Sequence, residues 1–219
     1  MSEVYKRQSG LIDPSLLGKT TVAIVGLGGL GSFATVALAK MGVGAFHLYD
    51  GDRVERHNIP NQMFFLNDLG IAKVTAIAEI AKAFGGGTYH CFEQVVTKDT
   101  IFFPRIILSC VDSMRSRKEV YEAAVMSHCR ILIDTRSGGE MLRFIICPLE
   151  EKGGREAYEK TLYDDSKALE LPCTERAIIY TGFIAGAVIS ALVKKEVKEE
   201  IKEFMDWSVF VPRFDVIKS

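Results

Sequence analysis

Residues 20–25, TTVAIV, run directly into Gly26-Leu-Gly28-Gly29-Leu-Gly31-Ser32, and an apolar stretch from Ser32 to Met41 follows. The β-branched run reads as a buried strand and the later stretch as a helix, which puts the glycines in a strand-to-helix turn. Glycine permits that tight turn and lets backbone N–H groups approach an anion, while the helix N-terminus adds partial positive charge. The GxGxxG pattern alone is weak evidence. Its context is stronger: the next strand, Ala45-Phe-His-Leu-Tyr49, runs into Asp50, where a carboxylate meets the ribose of a bound nucleotide. A glycine turn beside a solvated Asp50 is the ordinary alternative. Loop and carboxylate together suit a nicotinamide dehydrogenase as well as an ATP-using enzyme.

The rest of the chain continues the alternation. Helices are expected over 72–84 and from Arg117 to Ser127, with strands at Arg105–Ser109, Arg130–Asp134 and Met141–Cys147. This order implies an α/β fold, a Rossmann-like, doubly wound, mostly parallel sheet with flanking helices. Residues 1–18 read as an N-terminal arm, and 150–172 as a charged, poorly periodic crossover segment. A helix from about Thr174 to Val193 and an edge strand at Trp207–Val211 complete a single domain over residues 1–219.

Composition narrows the function classes. Apolar residues make up 48% and charged residues 25% of the 219, as in an ordinary folded domain. A formal net charge of −1 gives no basic footprint for nucleic acid. The first residues lack a signal-peptide core, and the longest apolar run, Thr181–Val193, is short for a membrane span. The five cysteines (Cys91, Cys110, Cys129, Cys147 and Cys173) are odd in number and form no CxxC pair, which argues against a disulfide framework and a cysteine-rich zinc site. No zinc and a cytoplasmic location are the expectations.

The polar residues after the second strand separate the nucleotide readings. Asp50-Gly-Asp52-Arg-Val54 is followed by Asn58-Ile-Pro-Asn61-Gln62 and then Gly70-Ile-Ala-Lys73, and a later strand ends in Asp112-Ser113. In these motifs, their order and their spacing, the chain resembles the ubiquitin-activating-type family that includes the MoeB, ThiF and HesA proteins. The resemblance runs roughly from residue 5 to 195. It implies ATP-dependent adenylation of the C-terminal carboxylate of a small ubiquitin-like or sulfur-carrier protein with an extended tail, by a homodimer using ATP and Mg²⁺.

Residue by residue, the resemblance assigns Gly26, Gly28, Gly29, Gly31, Ser32, Asp50, Asp52, Asn58, Gln62 and Lys73 to the nucleotide. Lys73 would contact phosphates, Asn58 and Gln62 would supply neutral donors, and Asp112 would hold the metal. These types suit the chemistry, because negative charge grows on the phosphorus oxygens and the departing pyrophosphate. A solvated lysine is the ordinary alternative for Lys73, and a helix N-cap for Asp112. Arg117 follows Asp112 in the family's D-x-x-x-x-R spacing. Tyr5-Lys6-Arg7-Gln8 resembles the family's N-terminal segment, whose arginine reaches the phosphates of the partner subunit. A frayed terminus is the alternative for Arg7.

Two positions complicate the resemblance. The family has arginine where this chain has Asn61, which removes a phosphate cation; Arg56, Arg115 and Arg136 are candidate substitutes. The change leaves room for a non-catalytic nucleotide-binding partner subunit of an active homologue. A relative that adenylates a carboxylate on tRNA is a further alternative. Pro172-Cys173-Thr174 resembles the stretch around the thioester cysteine of ubiquitin-activating enzymes, so Cys173 is a candidate nucleophile for a second step, with a buried apolar cysteine as its alternative. The other four cysteines read as core. Asp134-Thr-Arg136-Ser-Gly138-Gly139 reads as a plain turn or as a lining for the substrate's tail.

Overall fold

The structure is a computed structural model that describes residues 3–164 and 178–218. Strands β1 (Thr21–Val25), β2 (Ala45–Tyr49), β3 (Thr88–Phe92), β4 (Ile106–Ser109), β5 (Ile131–Gly138), β6 (Met141–Pro148), β7 (Met205–Phe210) and β8 (Asp215–Lys218) form one sheet in the order β3-β2-β1-β4-β5-β6-β7-β8. The first five strands pair in parallel, and β6, β7 and β8 extend the sheet by antiparallel pairing. The helices are α1 (Pro14–Gly18), α2 (Gly31–Met41), α3 (Lys73–Gly85), α4 (Met114–Met126), α5 (Lys152–Glu159) and α6 (Ile179–Val197).

Side-chain alternation along the strands separates two cores. Val22 and Ile24 of β1 point into one, with Leu38 of α2, Ile77 of α3 and Ile189 of α6. Ala23 and Val25 point into the other, with Val120 of α4 and Tyr158 of α5. Both faces of β1 are covered, so its sequence is apolar throughout rather than alternating. From β1 the chain goes to β2 on one side and later returns to β4 on the other. The crevice at the carboxyl ends of β1, β2 and β4 is therefore a topological switch point, where open α/β sheets bind ligands.

Several elements depart from the sequence reading. β3 was not anticipated: Thr-Tyr-His-Cys-Phe is polar and half-exposed because it forms the sheet edge. Cys91 lies on that edge and is exposed, which corrects its reading as core; Cys110, Cys129 and Cys147 are buried. The segment read as crossover contains α5, which buries only Gly154 and Tyr158 and so shows no apolar stripe. β7 is not an edge, because β8 pairs outside it. The residues from Asp134 to Gly138 are strand, and the turn is confined to Gly139-Glu140, with Gly139 at φ 59°. Cys173 lies outside the described residues. No helix among the described residues is long and apolar enough to cross a membrane.

Candidate active site

The glycine turn leaves β1 at Gly26, whose φ is +84° and whose N–H donates to the Tyr49 carbonyl at 2.9 Å. A Cβ there would stand 2.8 Å from the Cys110 carbonyl oxygen, so the turn is pressed against the end of β4. Only glycine takes that conformation and that approach without strain. Asp50 locks the turn from the other side. Its carboxylate accepts the Leu27 N–H at 2.6 Å and the Asp52 N–H at 2.8 Å. Burial pushes the Asp50 carboxyl above its ordinary value, against the pull of those two bonds and of Lys73.

Residues 52–73 fold over the turn. An antiparallel bridge joins Arg53 to Ala72, and the Lys73 N–H donates to the Asp52 carbonyl at 2.9 Å. This delivers Lys73, at the start of α3, to the site. Its side chain is buried and its Nζ lies 2.8 Å from Asp52 Oδ2, so it is not the solvated helix lysine of the alternative reading. Asn58 is buried and accepts the Glu55 N–H through Oδ1 at 2.8 Å, which commits its oxygen and leaves its nitrogen to donate. The Gln62 Nε2 would lie 3.7 Å from a Cβ on Gly28, and the Asn61 carbonyl oxygen 3.4 Å from one on Gly29. The side-chain oxygens of Asn61 and Gln62 are buried and find no hydrogen-bond partner among the described residues.

Ser32 has a different place. It is fully buried, donates to the Gly28 carbonyl at 2.7 Å and accepts the Met63 N–H at 3.2 Å. It fastens the glycine turn to the segment above it. Gly182 of α6 also closes on the turn, where a Cβ would meet the Gly29 carbonyl oxygen at 2.7 Å.

Asp112 follows Cys110 and Val111, the residues against Gly26. It is exposed, and the cap of α4 is Ser113, which accepts the Ser116 N–H at 3.1 Å. The capping alternative for Asp112 is thereby removed and its carboxylate is left free of that duty. Among the described residues no three His, Cys, Asp or Glu side chains converge as a metal cage. Mg²⁺ asks for less: one or two carboxylates, with nucleotide phosphates and water filling its octahedron. An exposed carboxylate beside the glycine turn fits that requirement.

Arg7 does not approach its own chain's glycine turn. Tyr5 donates to the Gly85 carbonyl at 3.2 Å and Gln8 to the Met41 carbonyl at 2.6 Å, so the arm rests on the far ends of α3 and α2. The 11 residues of α2 put about 16 Å between those ends and the turn. Arg136 is spent elsewhere: it is buried and bonded to Asp134 and Thr161. Arg117 is buried too, and it joins Asp134, read in the sequence as turn or tail lining, and Tyr158, which the sequence reading did not single out, in one network. The detectable signal was a charged pair, Asp134 and Arg136, directly after the apolar run Ile131-Leu132-Ile133. Two surface concavities, of about 570 and 770 Å³, lie against α4 and α5.

The chain is similar to several known proteins. The sulfur carrier protein ThiS adenylyltransferase of Escherichia coli is 27% identical over 186 residues, spanning 80% of this chain and 72% of that protein. The adenylyltransferase and sulfurtransferase Uba4 of Aspergillus fumigatus is 34% identical over 140 residues, which cover 58% of this chain but 28% of the relative. Among solved structures, that of PaaA superposes with a TM-score of 0.78 at 18% identity, covering 99% of this chain and 72% of that one. The Escherichia coli tRNA N6-threonylcarbamoyladenosine dehydratase, solved in complex with AMP, gives 0.68 at 19% identity over 91% of this chain and 97% of its own. The chain matches the ThiF family over residues 5–210, and it belongs to that family.

Proposed function

We propose that this chain binds ATP at the switch-point crevice and adenylates the C-terminal carboxylate of a small ubiquitin-like or sulfur-carrier protein. The observation that carries the reading is the buried Lys73, presented with Asp52 beside a glycine turn that Asp50 holds shut. A cation there suits phosphoryl chemistry, in which negative charge grows on the phosphate oxygens as the bond breaks. Family membership and a relative named for adenylating ThiS support the same reading.

In the reaction, a substrate carboxylate oxygen bonds to the α-phosphorus of ATP and the bond to the β-phosphate bridging oxygen breaks, so that pyrophosphate departs. Backbone N–H groups of the glycine turn and the Gln62 amide receive the phosphate oxygens. Lys73 leaves Asp52 to meet the growing negative charge. Mg²⁺, held through Asp112, would draw charge from the phosphates. Arg7 of a second subunit would complete the site in a homodimer. Cys173 would then take the acyl group as a thioester, with AMP leaving; this assignment rests on sequence alone.

ATP–pyrophosphate exchange tests the reading, with a panel of sulfur-carrier and ubiquitin-like proteins carrying intact or truncated tails. Exchange should require an intact tail and fall by at least about a hundredfold in Lys73→Ala and Asp112→Ala. Cys173→Ala should keep exchange and lose any thiol-sensitive adduct. The likeness to a tRNA-modifying dehydratase over 97% of its length favours one second reading, a carboxylate on tRNA. Exchange supported by bulk tRNA and by no carrier protein would select it and refute the first.

A further inference from the structure

A carboxylate that organises a metal-bound phosphate must be held in place, yet Asp112 sits on an exposed turn between β4 and α4. What holds that turn lies beneath it. Arg117, 3% exposed, donates through Nη2 to the Val111 carbonyl and through Nη1 to Asp134 Oδ1, with a further contact to the Thr135 carbonyl at 3.3 Å. Asp134 is fully buried opposite Ser109 in the β4–β5 register. Its Oδ2 accepts from Arg136 Nε at 2.8 Å and from the Tyr158 hydroxyl at 3.1 Å. Arg136 in turn donates to the Thr161 carbonyl and hydroxyl, both at 2.9 Å. One carboxylate thus ties together the turn before α4, the end of β5 and the end of α5.

Buried ionic clusters of this kind add little net stability, because desolvating the charges consumes what their attraction returns. Their geometry is what an apolar packing could not reproduce. A guanidinium is a planar fork that bonds two acceptors in fixed directions at once. Here the fork of Arg117 spans Asp134 and the Val111 carbonyl, the residue before Asp112. Burial would push the Asp134 carboxyl up, but Arg117 and Arg136 outweigh it and hold it below its ordinary value, so the carboxylate stays charged and both forks stay engaged.

We propose that Asp134 is a positioning residue for the adenylation site: through Arg117 it fixes the Val111–Asp112 backbone, and through Arg136 and Tyr158 it anchors that fork to α5. The proposal rests on the reading of Asp112 as the metal carboxylate. Its consequence is that disturbing the end of α5 alters metal use at the phosphate site.

The test uses the full chain with ATP as the probe. Arg117→Lys keeps a cation opposite Asp134 but replaces the planar fork that also reaches the Val111 carbonyl with a single ammonium. ATP affinity is measured in Mg²⁺ and in EDTA, and amide hydrogen exchange is followed at residues 111–113. The wild type should bind ATP more tightly with Mg²⁺. Arg117→Lys should keep the metal-free affinity, lose at least tenfold of the Mg²⁺ enhancement, and exchange faster at 111–113. Tyr158→Phe removes one hydrogen bond and should move both readouts the same way by less; it decides the matter if Arg117→Lys does not fold. Arg143→Lys removes the guanidinium fork from a second Arg–Asp pair, to Asp206 between β6 and β7, and should move neither readout. Unchanged Mg²⁺ enhancement and unchanged exchange in folded Arg117→Lys and Tyr158→Phe would overturn the positioning role. A wild type that binds no ATP would refute the functional reading instead, and amide exchange alone would then judge what holds the turn.

Discussion

Replacing Gly31 with alanine puts a methyl group where the backbone leaves no room. A Cβ at this position would lie 1.9 Å from the Gly26 carbonyl oxygen and 3.3 Å from Cys110 Cβ, against 3.4 Å for ordinary contact. The nearer obstacle is main chain, so no rotamer change relieves it: either α2 slides back or the glycine turn opens. Overpacking of this kind costs about 1–3 kcal/mol. Alanine's better helix propensity returns at most about 1 kcal/mol. The net loss is then up to about 3 kcal/mol, which lowers Tm by up to about 12 °C in a domain of this size. Because the displaced carbonyl belongs to the turn that Asp50 closes through Leu27, ATP affinity should fall at least about tenfold as well. Differential scanning fluorimetry gives the first number and isothermal titration with ATP the second. Gly153→Ala, in α5 with nothing within 4 Å of its Cβ, is the control and should leave Tm unchanged or raise it slightly. A Gly31→Ala protein with wild-type Tm and wild-type ATP affinity would refute the close-approach argument.

If Arg7 serves a partner's site, mixing Arg7→Ala with Asp112→Ala subunits yields hybrids with one doubly defective site and one intact site. Exchange activity should partly return after subunit exchange, and continued inactivity in proven hybrids would exclude sharing. Glu196, buried beside Arg130, tests the electrostatics of α6. Burial raises its carboxyl above the ordinary value more than Arg130 lowers it, and its Oε2 has no partner. A raised folded value means that its contribution to stability is present in acid and is lost as pH rises above about 4 through the folded value. Glu196→Gln should therefore be at least as stable as the wild type at pH 7, with the advantage shrinking toward pH 4. A glutamine variant that is less stable at pH 7, with the deficit vanishing in acid, would mean that the ion pair dominates.

The sequence by itself determined the parts whose causes are local. Thr21–Val25 reads as a buried strand because the uncharged, β-branched run is too short for a helix and ends at a glycine turn. The glycine turn after β1, Asp50 after β2 and Lys73 at the start of α3 stand where the local pattern set them, while the roles proposed for them come from the family resemblance. The elements it concealed have little apolar surface of their own. β3 is half-exposed at a sheet edge, and α5 hides only two side chains, so neither shows periodicity. Tertiary structure alone decided the polar interior. Ser32 reads as a phosphate ligand in the motif but is fully buried, its hydroxyl spent on Gly28 and Met63. Asp112 was spared from capping only because Ser113 caps α4. Asp134 and Tyr158 meet across 24 positions of sequence. The worth of a buried charge depends on partners that chain topology brings from distant segments, and no local pattern records them.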